Sequence, residues 1–146
     1  MTIKEVLRRK GSKAITVFED QAVQEAVQIM VENYIGAVIV VNRHHLMVGI
    51  FTERDILRRI AGKGECDKIA EIKVGNVMTS DVIVGHPDAD TECVFKTMTE
   101  KRIRHIPVMD ESKLLGIISI GDIVKTGLDD SKFEADCLRQ YITGTR

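Results

Sequence analysis

The sequence predicts a mixed α/β protein made of two β-α-β-β-α repeats packed with pseudo-twofold symmetry. Three observations point there. First, residues 30–57 and 98–124 run through the same succession of helix end, apolar strand, polar turn, second apolar strand and short acidic motif: Met30 aligns with Met98, Gly49 with Gly116 and Asp55 with Asp122. The offset changes by one residue, within the polar turn, where a deletion is tolerated. Second, residues 35–41 (IGAVIVV) are continuously apolar, as in a strand covered on both faces. Third, apolar residues before each such run recur at helical spacing. A duplicated unit that cannot bury its apolar face alone packs against its twin, and the cleft between twins suits a ligand.

The elements follow in order. Ile3, Val6 and Leu7 lie at i, i+3 and i+4, so residues 2–9 predict a short amphipathic helix ended by Gly11. Residues 14–17 predict a strand. Asp20 is the expected N-cap of a helix with Val23, Ala26, Val27 and Met30 on one face. Two strands, 35–41 and 46–51, flank a turn at 42–45 (NRHH), and a helix starts at Glu53 and runs to Ile60. The polar, glycine-containing stretch 62–73 is the expected linker. The cycle then repeats: a strand at 82–84, a helix opened by Pro87-Asp88 and carrying Val94, Phe95 and Met98, a hairpin of 105–109 and 114–119, and a short helix at 121–126. A terminal helix is expected over 132–142, with Phe133, Cys137, Leu138 and Tyr141 at helical spacing. The divisions expected are thus 1–65 (first helix and first copy), 66–130 (second copy) and 131–146 (terminal helix) of one integrated module.

Bulk properties bound the function. The chain has 146 residues, 44% of them hydrophobic, only 4% aromatic, and no Trp, so its core must be aliphatic. A formal charge of −1 and few aromatics argue against a nucleic-acid surface. The cysteines, Cys66, Cys93 and Cys137, form no CxxC pair; neither a disulfide framework nor a zinc knuckle is expected, and a reducing cytoplasm fits. Cys93 reads as a small core residue. Neither a signal peptide nor a membrane span is expected, the longest apolar run being far short of the roughly 20 residues a membrane helix needs. His44-His45 is a poor chelator, because adjacent strand residues point to opposite sides. No nucleophile elbow, Walker loop, HExxH or acid–base pair is present.

The repeats, above all GIISIGDIV and IRHIPVMDESKLLG, resemble the cystathionine β-synthase (CBS) domain in tandem, the Bateman module. The segments TERD (52–55), EKRIRH (100–105) and YITG (141–144) resemble a subgroup of small stand-alone bacterial CBS-pair proteins. The resemblance spans about residues 3–144 and leaves no room for a catalytic domain. It implies a non-catalytic regulatory module that binds adenosine compounds (AMP, ADP, ATP or NAD) in clefts between the two CBS motifs, signals by conformational change to a regulated protein, and pairs into homodimers. The apolar stripes Ile56-Leu57-Ile60 and Ile123-Val124 are candidates for the dimer contact. A ligand-free dimeric scaffold is the alternative; a nucleotide-hydrolysing enzyme is a more distant one.

The residues give this a physical basis. Between Ser119 and Asp122 a strand turns into a helix, bringing a hydroxyl, backbone N–H groups and a carboxylate together. Helix N-termini favour anions, and a carboxylate can accept hydrogen bonds from a ribose diol. The resemblance assigns Asp122 to ribose and Ser119 to phosphate or ribose, with Thr52 and Asp55 as first-copy counterparts. Equally, either aspartate can simply cap its helix. Around the strand Ile103-Arg104-His105-Ile106-Pro107, Arg104 can hold phosphate in a bidentate manner and His105 can donate to phosphate or stack on a base; a solvated basic helix end is the plainer account. The first-copy counterparts Gly36, Ala37 and Val38 carry no charge, so the second copy is better equipped for an anion. Arg54, matched by Gly121, either reaches phosphate or is an exposed first-turn arginine. Arg58 and Arg59 read as solvated or dimer-facing. By resemblance alone, Thr16, Val17, Val82 and Ile83 present backbone groups to adenine.

Overall fold

The computed structural model describes residues 1–11, 13–127 and 139. The chain is mixed α/β and divides into two compact bodies, one formed by Ala14–Val82 and the other by Met1–Lys13 together with Ile83–Arg146. The first body runs past the division at 65/66 expected from the sequence, since residues 66–82 complete it, and the N-terminal helix completes the second.

In the first body, β1 (Thr16–Phe18) pairs in parallel with β2 (Ala37–Val41), which pairs antiparallel with β3 (Met47–Thr52). β2 is buried throughout, which explains its unbroken apolar run. The helix α2 (Val23–Glu32) turns Val23, Ala26 and Met30 inward. After β3, α3 (Glu53–Asp55) continues as a π-helical turn through Ile56–Ile60. The core gathers Val17, Val38, Val40, Phe51, Ile60, Val74 and Val77, with Ile69 and Ile72 packed on it. The stretch expected to be a linker is therefore partly a core-covering segment.

In the second body, α1 (Ile3–Lys10) is closed at its start by a capping box between Thr2 and Glu5 and at its end by Gly11 at φ 66°. Then α4 (Thr91–Lys101) precedes an antiparallel hairpin, β4 (His105–Asp110) and β5 (Lys113–Ser119), and α5 (Ile120–Gly127) follows. Ile3 and Val6 share a core with Val94, Phe95, Met98, Ile106, Val108, Ile118 and Ile123.

The repeat is visible in equivalent backbone bonds. Val23 N–H donates to the Ile72 carbonyl and Val74 N–H to that of Gln21; likewise Thr91 N–H donates to Met1 and Ile3 N–H to Ala89. Both hairpins carry a register shift at the same point, Val40/Val41 and Val108/Met109.

Several expectations require correction. The first strand is Thr16–Phe18 rather than 14–17. Helix α2 is preceded by Ala22 rather than capped by Asp20, because the Ile72 and Ile69 carbonyls already take the first-turn N–H groups of Val23 and Gln24. Asp20 instead accepts from Arg43 Nη2 at 2.6 Å. Residues 82–84 form no strand; only Gly85 bridges Val108. Helix α4 starts at Thr91 rather than Pro87, since the Pro87 and Ala89 carbonyls pair with Lys4 and Ile3. Cys93 is exposed, outside the α4 stripe of Val94, Phe95 and Met98. The expected helix over 132–142 lies outside the described residues, apart from Arg139, which is helical and exposed.

Candidate ligand site

Each hairpin feeds a helix through the same turn. In the first body, Thr52 N–H donates to Asp55 Oδ2 at 2.9 Å, Asp55 N–H donates back to Thr52 Oγ1 at 3.4 Å, and Glu53 N–H donates to the Gly36 carbonyl at 3.0 Å. In the second, Ser119 N–H donates to Asp122 Oδ2 at 2.9 Å, Asp122 N–H to Ser119 Oγ at 3.1 Å, and Ile120 N–H to the Arg104 carbonyl at 2.8 Å. Both aspartates thus cap their helices reciprocally.

What else surrounds the carboxylate differs. Asp55 is enclosed, its side chain only 7% exposed. The Thr52 hydroxyl donates to Oδ2 at 3.3 Å, the Thr79 hydroxyl donates to Oδ1 at 3.0 Å, and Arg59 Nε lies 3.5 Å from Oδ1. Arg59 also donates to the Met78 carbonyl at 2.7 Å, while its side chain stays 46% exposed. Both oxygens of Asp55 are thus engaged by groups of its own body.

Asp122 is more open, its side chain 22% exposed. It borders a cavity of about 300 Å³ lined by Val6, Arg9, Lys10, Asp122, Lys125 and Thr126. Lys10 Nζ donates to Asp122 Oδ2 at 2.9 Å and to the Ile117 carbonyl at 3.0 Å. Burial pushes the Asp122 carboxyl up, but the Ser119 N–H, the hydrogen bond and charge of Lys10 and the Ser119 hydroxyl outweigh it and hold the group below the usual carboxylate range. Among the described residues, Arg9, Lys10, Lys125 and the Asp122 carboxylate line this space.

The structure brings some expected residues together and separates others. Ser119 and Asp122 meet, and His105 pairs with Ser119 across the hairpin, which puts the Arg104 carbonyl at the same turn. Arg104, His105 and Ile103 are half-buried; Gly121 is exposed. In the first body Ala37 pairs with Thr52, while Gly36 and Arg54 are half-buried. The side chains of Val17, Val38 and Ile106 are core, and Pro107 is buried with its carbonyl taking Gly85 N–H. Their part in any site is confined to backbone. Thr16 is exposed on β1, and Val82 and Ile83 are half-buried. Of the apolar stripes, Ile60 and Ile123 are core residues of their own bodies, whereas Leu57 is 66% exposed. His44 and His45 stand exposed on the hairpin turn, where the Asn42 side-chain carbonyl accepts from His44 and Leu46 N–H. Among the described residues no three His, Cys, Asp or Glu side chains converge as a metal site. No helix of the described residues is long and apolar enough to cross a membrane.

Sequence reasoning missed Lys10, Lys125 and Thr79. Lys125 is signalled by its position one turn after Asp122 on α5. Lys10 and Thr79 reach their aspartates only through the tertiary packing of segments that precede each repeat.

Comparison with known proteins agrees with this architecture. The family model described as the CBS domain matches residues 2–62 and 74–129. The CBS domain-containing protein CBSX3, mitochondrial, of Arabidopsis thaliana is 35% identical over 151 residues, covering 98% of this chain and 72% of that protein. The crystal structure of the CBS-domain containing protein ATU1752 from Agrobacterium tumefaciens superposes with a TM-score of 0.80 at 36% identity, over 86% of this chain and 98% of that one. The CBS domain pair of protein MJ0100, solved in complex with 5′-methylthioadenosine and S-adenosyl-L-methionine, has a TM-score of 0.74 at 25% identity, over 86% of this chain and 94% of that one.

Proposed function

Because this chain belongs to the CBS-domain family and carries the domain twice, we propose that it is a non-catalytic regulatory module whose second copy binds an adenosine compound at Asp122. The observation that carries this reading is the inequality of the two aspartates. Asp55 is buried with both oxygens engaged by its own body, whereas Asp122 borders a cavity and is partnered by a lysine. A ribose diol donating to Asp122 meets a partly open carboxylate at the cavity, while the same diol at Asp55 has to break a buried network. The adenosine ligands of the MJ0100 pair support the ligand class.

In this reading the diol lies on Asp122, Ser119 holds the carboxylate in place, and Arg104, His105 and Ile83 flank the ligand. AMP, ADP, ATP and NAD are the ligands of choice. Binding biases the module toward one of its arrangements in proportion to differential affinity, and a partner protein reads the result. Pairing of two copies is part of the proposal, with Leu57 as the apolar side chain available to a partner.

Thermal denaturation with AMP, ADP, ATP, NAD, 5′-methylthioadenosine and S-adenosylmethionine tests it. At least one compound raises the melting temperature with the concentration dependence of mass action, and Asp122→Ala abolishes that rise while Asp55→Asn keeps it. A chain that responds to none of the six is the ligand-free scaffold instead.

A further inference from the structure

We propose that the π-helical turn Ile56–Ile60 of the first body is a register switch, that Arg59 is its latch, and that its two registers present Leu57 and Arg58 differently at the surface. The proposal is independent of the ligand assignment at Asp122.

The two copies part ways just after their aspartates. Residues 55–60 (DILRRI) match 122–127 (DIVKTG) in the register that aligns Asp55 with Asp122. In the second body this stretch stays α-helical to Gly127, and the Thr126 hydroxyl donates back to the Asp122 carbonyl at 2.8 Å. In the first body the α-helix gives way to a π-helical turn after Asp55. Such a turn holds one residue more than an α-turn, and single π-turns recur at functional positions. Both registers are visible in one amide. Ala61 N–H is shared between the Ile56 carbonyl, its acceptor in a π-turn, and the Leu57 carbonyl, its acceptor in an α-turn. Ile60 departs from helical dihedrals, at φ −118° and ψ −67°, whereas Ile56 (−60°, −48°) and Ala61 (−63°, −41°) keep them.

One side chain holds the π register from outside the helix. Arg59 Nη1 donates to the Met78 carbonyl at 2.7 Å, and Arg59 Nε lies 3.5 Å from Asp55 Oδ1, the oxygen that also takes the Thr79 hydroxyl. Thr79 is itself fixed, its N–H and carbonyl both paired with Ile50. The arginine therefore ties the turn to a rigid neighbour, whereas Thr126, its counterpart, spends its hydroxyl within its own helix. Beyond the turn, residues 61–64 (AGKG) are exposed and include two glycines, so they can take up the residue that an α register releases. When the Arg59 contacts open, Ala61 N–H passes wholly to the Leu57 carbonyl and the Ile56 carbonyl takes Ile60 N–H. The side chains rotate with the register, and Leu57 and Arg58, both exposed, change direction at the surface. Ile60 is buried in the π register, and that burial returns the turn to it.

Nuclear magnetic resonance of the isotope-labelled full chain tests this, because couplings through hydrogen bonds show which carbonyl accepts Ala61 N–H. The unaltered chain is expected to show coupling to Ile56. Arg59→Met, which keeps the stem and removes the guanidinium, is expected to lose that coupling and keep the one to Leu57. A second test does not depend on how that variant folds. Deleting Arg58 places Ile60 one α-turn after Asp55 instead of one π-turn, so the core contact survives. Deleting Gln28, an exposed residue of the regular helix α2, swings Met30 off its buried face. The Arg58 deletion is expected to lower the melting temperature by at least about 5 °C less than the Gln28 deletion. Coupling to Ile56 that persists in Arg59→Met, or is absent from the unaltered chain, overturns the proposal. So does an Arg58 deletion as damaging as that of Gln28.

Discussion

Lys10 Nζ and Asp122 Oδ2 stand 2.9 Å apart, joining the end of the first helix to the start of α5 across 112 positions of sequence. In the first body, the corresponding carboxylate of Asp55 meets a threonine hydroxyl and an arginine instead. One repeated turn has acquired two environments, and on the proposed function that difference decides which copy is available to a ligand.

The ion pair has a pH signature. Because Asp122 lies below the ordinary carboxylate range when folded, the unfolded chain binds the proton more readily. The stabilisation is complete above the unfolded value, near about 4, and is lost as pH falls through the lower folded value. In urea unfolding between pH 3 and 7, the stability difference between the unaltered chain and Asp122→Asn should therefore shrink toward the acid end. A difference that stays constant over that range means the pair does not form.

The two aspartates should separate in stability. Asp55→Ala leaves the Thr79 hydroxyl and Arg59 without a buried acceptor, and a loss of about 2–4 kcal/mol is expected. Asp122→Ala removes a more exposed cap, at a cost of about 1 kcal/mol. Denaturant midpoints of the two variants give the order directly, and the reverse order means the burial described for Asp55 is wrong.

The equivalent glycines provide a packing test. A Cβ at Gly49 would stand 2.5 Å from Met78 Sδ and 2.7 Å from the Thr79 carbonyl oxygen. That carbonyl is held by Ile50 N–H, while Thr79 N–H donates back to Ile50, so the backbone there has little room to yield. At Gly116 the nearest atom would be Leu7 Cδ2 at 2.8 Å, the far end of a flexible side chain. Gly49→Ala is expected to cost about 2–3 kcal/mol and Gly116→Ala about 1 kcal/mol or less. Equal losses in thermal denaturation contradict this account of the close approach.

Much of the architecture was legible because it is written locally and twice. The apolar run at 37–41, the Val94-Phe95-Met98 stripe and the Ser/Thr-x-x-Asp turns each follow from neighbours in sequence. Two of the misreadings share one cause. Asp20 lost its capping role and Pro87 its helix start because the segments preceding each repeat arrive from far along the chain and take up those backbone groups, while at 82–84 the contact with the hairpin is reduced to the Gly85–Val108 bridge. The same long-range packing delivers Lys10 to Asp122 and Thr79 to Asp55, so the site's asymmetry was visible in the charges of 104–105 but not in the partners of the aspartates.

The most direct measurement is a crystal structure of the chain grown with ADP. The account predicts the ribose hydroxyls on Asp122, and Asp55 still bonded to Thr79. Density for ADP at Asp55 alone, or at a place away from Asp122, contradicts it.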